Sequence, residues 1–284
     1  MPLAMPAAIL GVPYDASSSF RRGPARAPAT IRAELWSPGG NSWTETLVDI
    51  SATNVLTDAG DIAIDATDPR GSITRGVERV IATNVRPILL GGDHSITYPI
   101  VRAVQRTSPP LTIVHVDAHT DLYDEFEGDR FSHACPFARI MEEGLAARLV
   151  QIGIRTLTRH QRDQAERLGV EIIDMRAWAR GVRPNIPKNE TVYLSIDLDG
   201  LDPAFAPGVS HPEPGGLTVR EVLSLIQSLE APMTAADIVE CNPDVDPSGL
   251  TSQVAAKFLK EIAAAMQTVP ARWPAGAGRD SVRT

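Results

Sequence analysis

Cysteine is nearly absent: the 284 residues hold two, Cys135 and Cys241, far apart in the chain. Two distant thiols make no disulfide framework, so a reducing cytoplasm is the expected compartment. Long apolar runs are missing as well, and no stretch approaches the ~20 residues that a membrane-spanning helix needs. The N-terminus lacks a basic region followed by an apolar stretch and a small-residue cleavage site, so no secretory signal is expected. Basic charge is in deficit, with 27 Lys and Arg against 35 Asp and Glu and a net charge of −8. That balance argues against a nucleic-acid or anionic-membrane surface. Internal repeats and low-complexity linkers are lacking too. One domain over 1–269 is therefore the simplest reading, with 270–284, poor in apolar residues, as a flexible C-terminal tail. The rest of the composition is ordinary, at 43% hydrophobic and 22% charged. It excludes collagen, coiled coil and wholesale disorder, and the chain is long enough to bury a large core.

Short β-type runs alternate with longer helical patterns. The spacing predicts strands at 8–12, 87–90, 111–116, 150–154, 170–173, 192–196 and 235–239. It predicts helices at 28–35, 72–82, 96–104, 137–149, 157–168, 219–229 and 252–266, with Thr218 as an available cap. Such alternation is the mark of an α/β fold with a mainly parallel sheet. In parallel sheets, binding groups gather beyond the carboxyl ends of the strands. Three strands here run into acidic or histidine-bearing loops: Leu90 into Gly-Gly-Asp-His, Val116 into Asp-Ala-His-Thr-Asp, and Ile196 into Asp-Leu-Asp.

Asp117, His119 and Asp121 are spaced i, i+2, i+4, and in an extended chain such residues share one face. Asp197 and Asp199 repeat the i, i+2 spacing, and His94 follows a Gly pair that lets the chain turn sharply. Four converging carboxylates without partners would repel one another strongly. Divalent cations offset that repulsion, and two suit four carboxylates and two imidazoles better than one. If Asp117 and Asp197 bridge, each cation receives four protein ligands. Oxygen-rich ligation with imidazole and no thiolate favours Mn²⁺-type ions over structural zinc. Two such ions ~3.5–4 Å apart acidify a shared water.

With these residues in view, the chain resembles the ureohydrolase family of arginases and agmatinases. Gly-Gly-Asp-His-Ser at 91–95, Asp-Ala-His-Thr-Asp at 117–121 and Ser-Ile-Asp-Leu-Asp-Gly-Leu-Asp-Pro at 195–203 carry the resemblance, with Glu-Pro-Gly-Gly at 213–216. Phe-Glu-Gly-Asp-Arg-Phe-Ser-His-Ala at 126–134 and Gln-Ile-Gly-Ile-Arg at 151–155 are most similar to plant-type arginases and their bacterial relatives. The resemblance implies a three-layer α/β/α fold with an eight-stranded, mostly parallel sheet, assembled as trimers or hexamers. It implies two Mn²⁺ per subunit, one on His94, Asp117, Asp121 and Asp197, the other on Asp117, His119, Asp197 and Asp199. It also implies that His133 is an acid–base group at the mouth, that Glu213 grips the guanidinium, and that Asp121 relays a proton. The reaction would convert agmatine or L-arginine to urea and putrescine or ornithine, by attack of a metal-bridging hydroxide.

Other residues are read more plainly. His115 is taken as a core histidine facing away from Asp117, with support of the site as the alternative. Asp93 is a candidate to orient a ligand. His211 is divided evenly between loop packing and the substrate mouth, and His160 is taken as surface. Glu240, Asn242 and Asp244 are either outer supports of the site or purely structural. For substrate recognition, Arg130 is a candidate partner for a carboxylate, and the acidic Asp124, Glu125 and Glu127 would suit agmatine. Two rival functions are kept: a zinc-type deacetylase of related fold, and a non-catalytic, metal-binding regulatory member. A Cys135 nucleophile is disfavoured because it would not need the carboxylate cluster.

Overall fold

The computed structural model describes residues 5–108 and 110–268. The proposed tail at 270–284 lies outside them. Eight strands are present: β1 (Ala7–Gly11), β2 (Leu56–Asp61), β3 (Arg86–Leu90), β4 (Leu111–Val116), β5 (Arg148–Ile152), β6 (Glu171–Ile173), β7 (Thr191–Asp197) and β8 (Met233–Val239). They form one sheet in the order β2-β1-β3-β8-β7-β4-β5-β6. Every neighbouring pair is parallel.

The helices are α1 (Ala27–Leu35), α2 (Pro69–Ile81), α3 (Thr97–Gln105), α4 (Pro136–Glu142), α5 (Arg159–Leu168), α6 (Met175–Ala179), α7 (Val219–Ser228) and α8 (Leu250–Thr268). Strand side chains alternate between faces, which splits the core in two. On one face Ile88, Val114, Leu194 and Ile238 pack against α1, α7 and α8 through Ile31, Ile226 and Phe258. On the other, Leu89, Ile113, Tyr193 and Ala235 pack against α2, α3 and α4 through Val77, Val104 and Phe137. Strands buried on both faces read as near-continuous apolar runs, which is why β3, β4 and β8 are evident in the sequence.

Three local expectations change. Edge strand β2 was unmarked, because Leu-Thr-Asp-Ala-Gly-Asp has no apolar alternation and all but Leu56 is exposed. It pairs with β1 alone, and Asp58 and Asp61 anchor it to Arg32 of α1 at 2.8 and 2.6 Å. Helix α4 ends at Glu142 rather than 149, because Gly144 takes φ 63° and the chain turns directly into β5. The short helix α6, capped by Asp174, had no periodic signature long enough to see. The expected cap at Thr218 forms a full capping box with Glu221.

Candidate metal centre and its cavity

The four central strands β3, β8, β7 and β4 lie side by side, and each ends in a chemically charged loop. Beyond β3, Gly92 packs so tightly on the Tyr14 carbonyl that any Cβ would collide with it. The Asp93 amide donates to that same carbonyl at 3.0 Å, and His94 follows in a 3-10 turn. Beyond β4 come Asp117, His119 and Asp121. Beyond β7 come Asp197 and Asp199, and beyond β8 comes Glu240.

The six sequence-predicted ligands converge. His94 Nδ1 lies 3.2 Å from Asp117 Oδ2, 3.1 Å from Asp121 Oδ2 and 3.1 Å from Asp197 Oδ2. His119 Nδ1 lies 3.4 Å from Asp117 Oδ1 and 3.1 Å from Asp199 Oδ2. The two oxygens of Asp117 thus face two different imidazoles. Two triads with ligand atoms within 4.8 Å of one another, His94–His115–Asp117 and Asp117–His119–Asp199, share that aspartate. The convergence is not produced by strand pleating, however. β4 stops at Val116, and Asp121 is turned inward by a left-handed backbone with φ 49°.

His115 is a second correction. Residues 115 and 117 are two apart and share a face, so the ring points at Asp117 and donates from Nε2 to Oδ2 at 2.8 Å. Its Nδ1 accepts from Gln151 Nε2 at 3.0 Å, and Phe137 stacks on it at 4.0 Å between centroids. His94 is held similarly from behind. Its Nε2 donates to Ser195 Oγ at 3.0 Å, and Ser195 in turn donates to Asp237 Oδ1 at 2.6 Å. That arrangement puts the proton on Nε2 and leaves Nδ1, which is buried without a hydrogen-bond partner, facing three carboxylates.

The electrostatics are those of a site built around positive charge. Burial, then the charges of Asp199 and Asp117, push Asp197 well above the usual carboxylate range. Burial and Asp117 push Asp199 up to about 6, against the pull of His119. Burial opposes the ionisation of Asp117 too, but His115, His119 and His94 hold it well below its ordinary value. An orphaned buried nitrogen beside crowded carboxylates fits a divalent cation, and the oxygen-rich, thiolate-free donor set fits a hard one.

These groups form the floor of a cavity of about 290 Å³. His119, Asp121, Asp197, Asp199 and Glu240 line it, together with His133 and His211. His133 and His211 stack at 5.1 Å with planes 14° apart. Burial, then the nearby His133, lower His211 to about 4. His133 Nδ1 lies 3.0 Å from the Ser17 carbonyl, which can only accept, so Nε2 is the free nitrogen, 3.4 Å from Ser19 Oγ. Asp93 holds that loop through the Ser17 amide at 2.9 Å and caps the turn that carries His94 through the Ser95 amide at 3.1 Å.

Glu240 is the residue that sequence reasoning undervalued. It is 2% exposed and has φ 61°. Its Oε1 accepts from the His94 amide at 2.9 Å, while its buried Oε2 has no partner. Burial, then Asp93, hold its carboxyl well above the ordinary value. Its sequence signal was the polar series Glu240, Asn242 and Asp244 at a strand end. Glu213, by contrast, does not line the cavity. It is half-buried two residues beyond His211, with its carbonyl held by Arg155 Nη2 at 2.5 Å.

The proposed recognition groups also lie elsewhere. Arg130 pairs with Glu142 at 3.4 Å and Asp124 with His160 at 2.9 Å, and neither lines the cavity, nor do Glu125 and Glu127. The outer wall consists instead of Ser19, Tyr123, Thr156, Thr158 and Gln161. Cys135 is fully buried, and burial raises its thiol to about 12, which leaves no thiolate for nucleophilic attack.

Comparison with known proteins agrees with this geometry. A family model described as the arginase family matches residues 5–265. The chain is 47% identical over 272 residues to "Arginase 1, mitochondrial" of Arabidopsis thaliana, covering 90% of this chain and 80% of that protein. It is 34% identical over 274 residues to guanidinobutyrase of Pseudomonas aeruginosa, covering 91% and 86% respectively. The solved structure of arginase from Medicago truncatula superposes with a TM-score of 0.88 at 44% identity, covering 94% of this chain and 89% of that one.

Proposed function

The chain belongs to the arginase family, a hydrolase acting on guanidino C–N bonds, and from that premise we infer how its own residues do the work. We propose that two Mn²⁺ bind per chain. One would sit on His94, Asp117, Asp121 and Asp197, the other on Asp117, His119, Asp197 and Asp199. The observation that carries this is the pair of triads sharing Asp117, with His94 Nδ1 buried and unpartnered. When bound, the cations supply a water-derived nucleophile at neutral pH and neutralise the carboxylates.

The remaining chemistry belongs to side chains. A guanidinium carbon is a poor electrophile, because resonance spreads its charge, so positioning matters. Glu240 takes the gripping role first assigned to Glu213. Its Oε2 has no hydrogen-bond partner, the residue lines the cavity together with Asp121 and Asp197, and a buried carboxylate pairs readily with a guanidinium. Asp121 accepts a proton from the attacking water. His133, with its Nδ1–H fixed by the Ser17 carbonyl, takes a proton from solvent at its free Nε2 and hands it to the departing amine. Glu213 serves the mouth through its loop, which carries His211.

We propose L-arginine or agmatine as substrate, giving urea with ornithine or putrescine. The neutral, hydroxyl-bearing outer wall and the arginase names of the similar plant proteins favour L-arginine. A single-zinc deacetylase would leave half of this donor set unused, and a non-catalytic member would have no need of all six ligands. We also propose a single catalytic domain over 1–269, supported by one sheet running from residue 7 to residue 239. A trimer or hexamer is supported by exposed Trp36, Trp43 and Leu47. A reducing compartment such as the cytoplasm is supported by two buried, free cysteines. No described helix is long and apolar enough to cross a membrane.

The test is urea release from L-arginine, agmatine and 4-guanidinobutyrate with Mn²⁺ present. L-arginine should turn over fastest. Absence of urea from every compound would refute the reading.

A further inference from the structure

A second cavity, of about 330 Å³, lies between α2 and α3 on the face that carries Phe131. That volume is within the range of small-molecule sites, ~300–1,000 Å³. Four arginines line it, Arg70, Arg75, Arg102 and Arg106, in a chain whose net charge is −8. Two acids line it as well, but both are already engaged. Asp68 pairs with Arg75 at 2.9 Å, and Glu78 pairs with Arg106. Arg70 and Arg102 have no acidic partner among the described residues. Both act electrostatically on the Tyr98 hydroxyl, which itself donates to Glu143 at 2.6 Å.

Two aromatic rings, Tyr98 and Phe131, are part of the lining. The Arg70 guanidinium lies over the Phe131 ring at 4.0 Å, and Phe131 packs on Tyr98 at 5.6 Å. A guanidinium placed over a ring face keeps N–H groups available to bind elsewhere. Arg70 is half-buried, whereas Arg102 stands exposed at the other helix. Two cations of this kind lining one cavity make a receptor for an oxyanion, because charge-assisted hydrogen bonds to guanidinium are strong and planar.

We propose that this cavity binds a small anion bearing a phosphate or carboxylate, held between Arg70 and Arg102 above Phe131. The site is separate from the metal centre, yet Phe131 is only two residues before His133, so an occupant rests on the loop that carries the proposed acid–base group.

The test is calorimetric titration of the Mn²⁺-loaded protein at low, constant ionic strength, with inorganic sulfate in one arm and succinate in the other. Sulfate stands in for phosphate without competing strongly for manganese. Saturable binding of one anion per chain is expected in at least one arm, and the arm that binds more tightly identifies the oxyanion type. The pair Arg70→Gln with Arg102→Gln should weaken it by roughly tenfold or more, while the Arg→Lys pair should recover part of the loss. Unchanged thermal midpoints establish that the variants are folded. Should the Gln pair not fold, Arg102→Gln alone, at an exposed position, still predicts weaker binding. Absence of saturable binding in both arms, or undiminished affinity in a folded Gln variant, overturns the proposal.

Discussion

Asp121 and Glu240 both hold positive φ, 49° and 61°, a region that side chains other than glycine usually avoid. The strain is worth ~1–3 kcal/mol per residue and is tolerated where it aims a group that packing alone would not. Here it turns two carboxylates into the same cavity. Glu240→Gln should keep metal binding but cut urea release by roughly a hundredfold or more, since a neutral amide loses the charged grip on the guanidinium. Steady-state urea assays beside a manganese count check both halves of that expectation. Ser195 acts one step further out, because it fixes the tautomer of His94. Ser195→Ala should weaken manganese binding by roughly 10–100-fold, read by equilibrium titration. Both cysteines, raised to about 12 by burial, should stay unreactive toward a thiol reagent at pH 8 until the protein unfolds. The six proposed ligands were legible because each is a polar residue where a buried strand ends. Glu240 was read only as an outer support beside Asn242 and Asp244, because neither of those neighbours is a histidine or a second acid at i+2 that would mark a ligand set. Glu213 stands out through its conspicuous motif, yet it is not among the residues that line the cavity.

At the scale of elements, helices with caps and strands with apolar runs were readable, and pieces held by tertiary contacts were not. α7 begins with a reciprocal cap between Thr218 and Glu221, so Thr218→Ala should cost ~1 kcal/mol in chemical denaturation. β2 is an exposed polar edge that only its ladder to β1 and its ties to Arg32 make into a strand. The loop before it is pinned by Glu45, which reaches Arg220 of α7 at 2.7 Å and Lys257 of α8 at 3.4 Å. Arg220 first, then the Gln227 amide and Lys257, lower Glu45 from 4.5 to about 2. A depressed carboxylate stabilises the folded state above its unfolded value and loses that contribution as pH falls through its folded value. Glu45→Gln should therefore be less stable than the wild type at pH 7. The gap should close between about pH 4.5 and pH 2, as measured by denaturant midpoints across that range.

Across the whole molecule, the sheet order explains why residues as distant in sequence as His94, Asp117, Asp197 and Glu240 meet. β3, β8, β7 and β4 are adjacent and parallel, so their carboxyl ends open on one edge. Strand–helix alternation made the class visible, but no sequence pattern announces which strands are neighbours, because that order is fixed by how the two helical layers cover the faces. Metal uptake should release protons, since burial and neighbouring carboxylates hold Asp197 and Asp199 above the ordinary carboxylate range until a cation takes the proton's place. The central claim is one centre for two cations, joined through Asp117. Equilibrium manganese titration of the wild type and of Asp117→Ala tests it most directly. The account predicts two Mn²⁺ per wild-type chain, and fewer than one, with urea release abolished, in the variant. A single Mn²⁺ in the wild type, or near-normal turnover in Asp117→Ala, would contradict it.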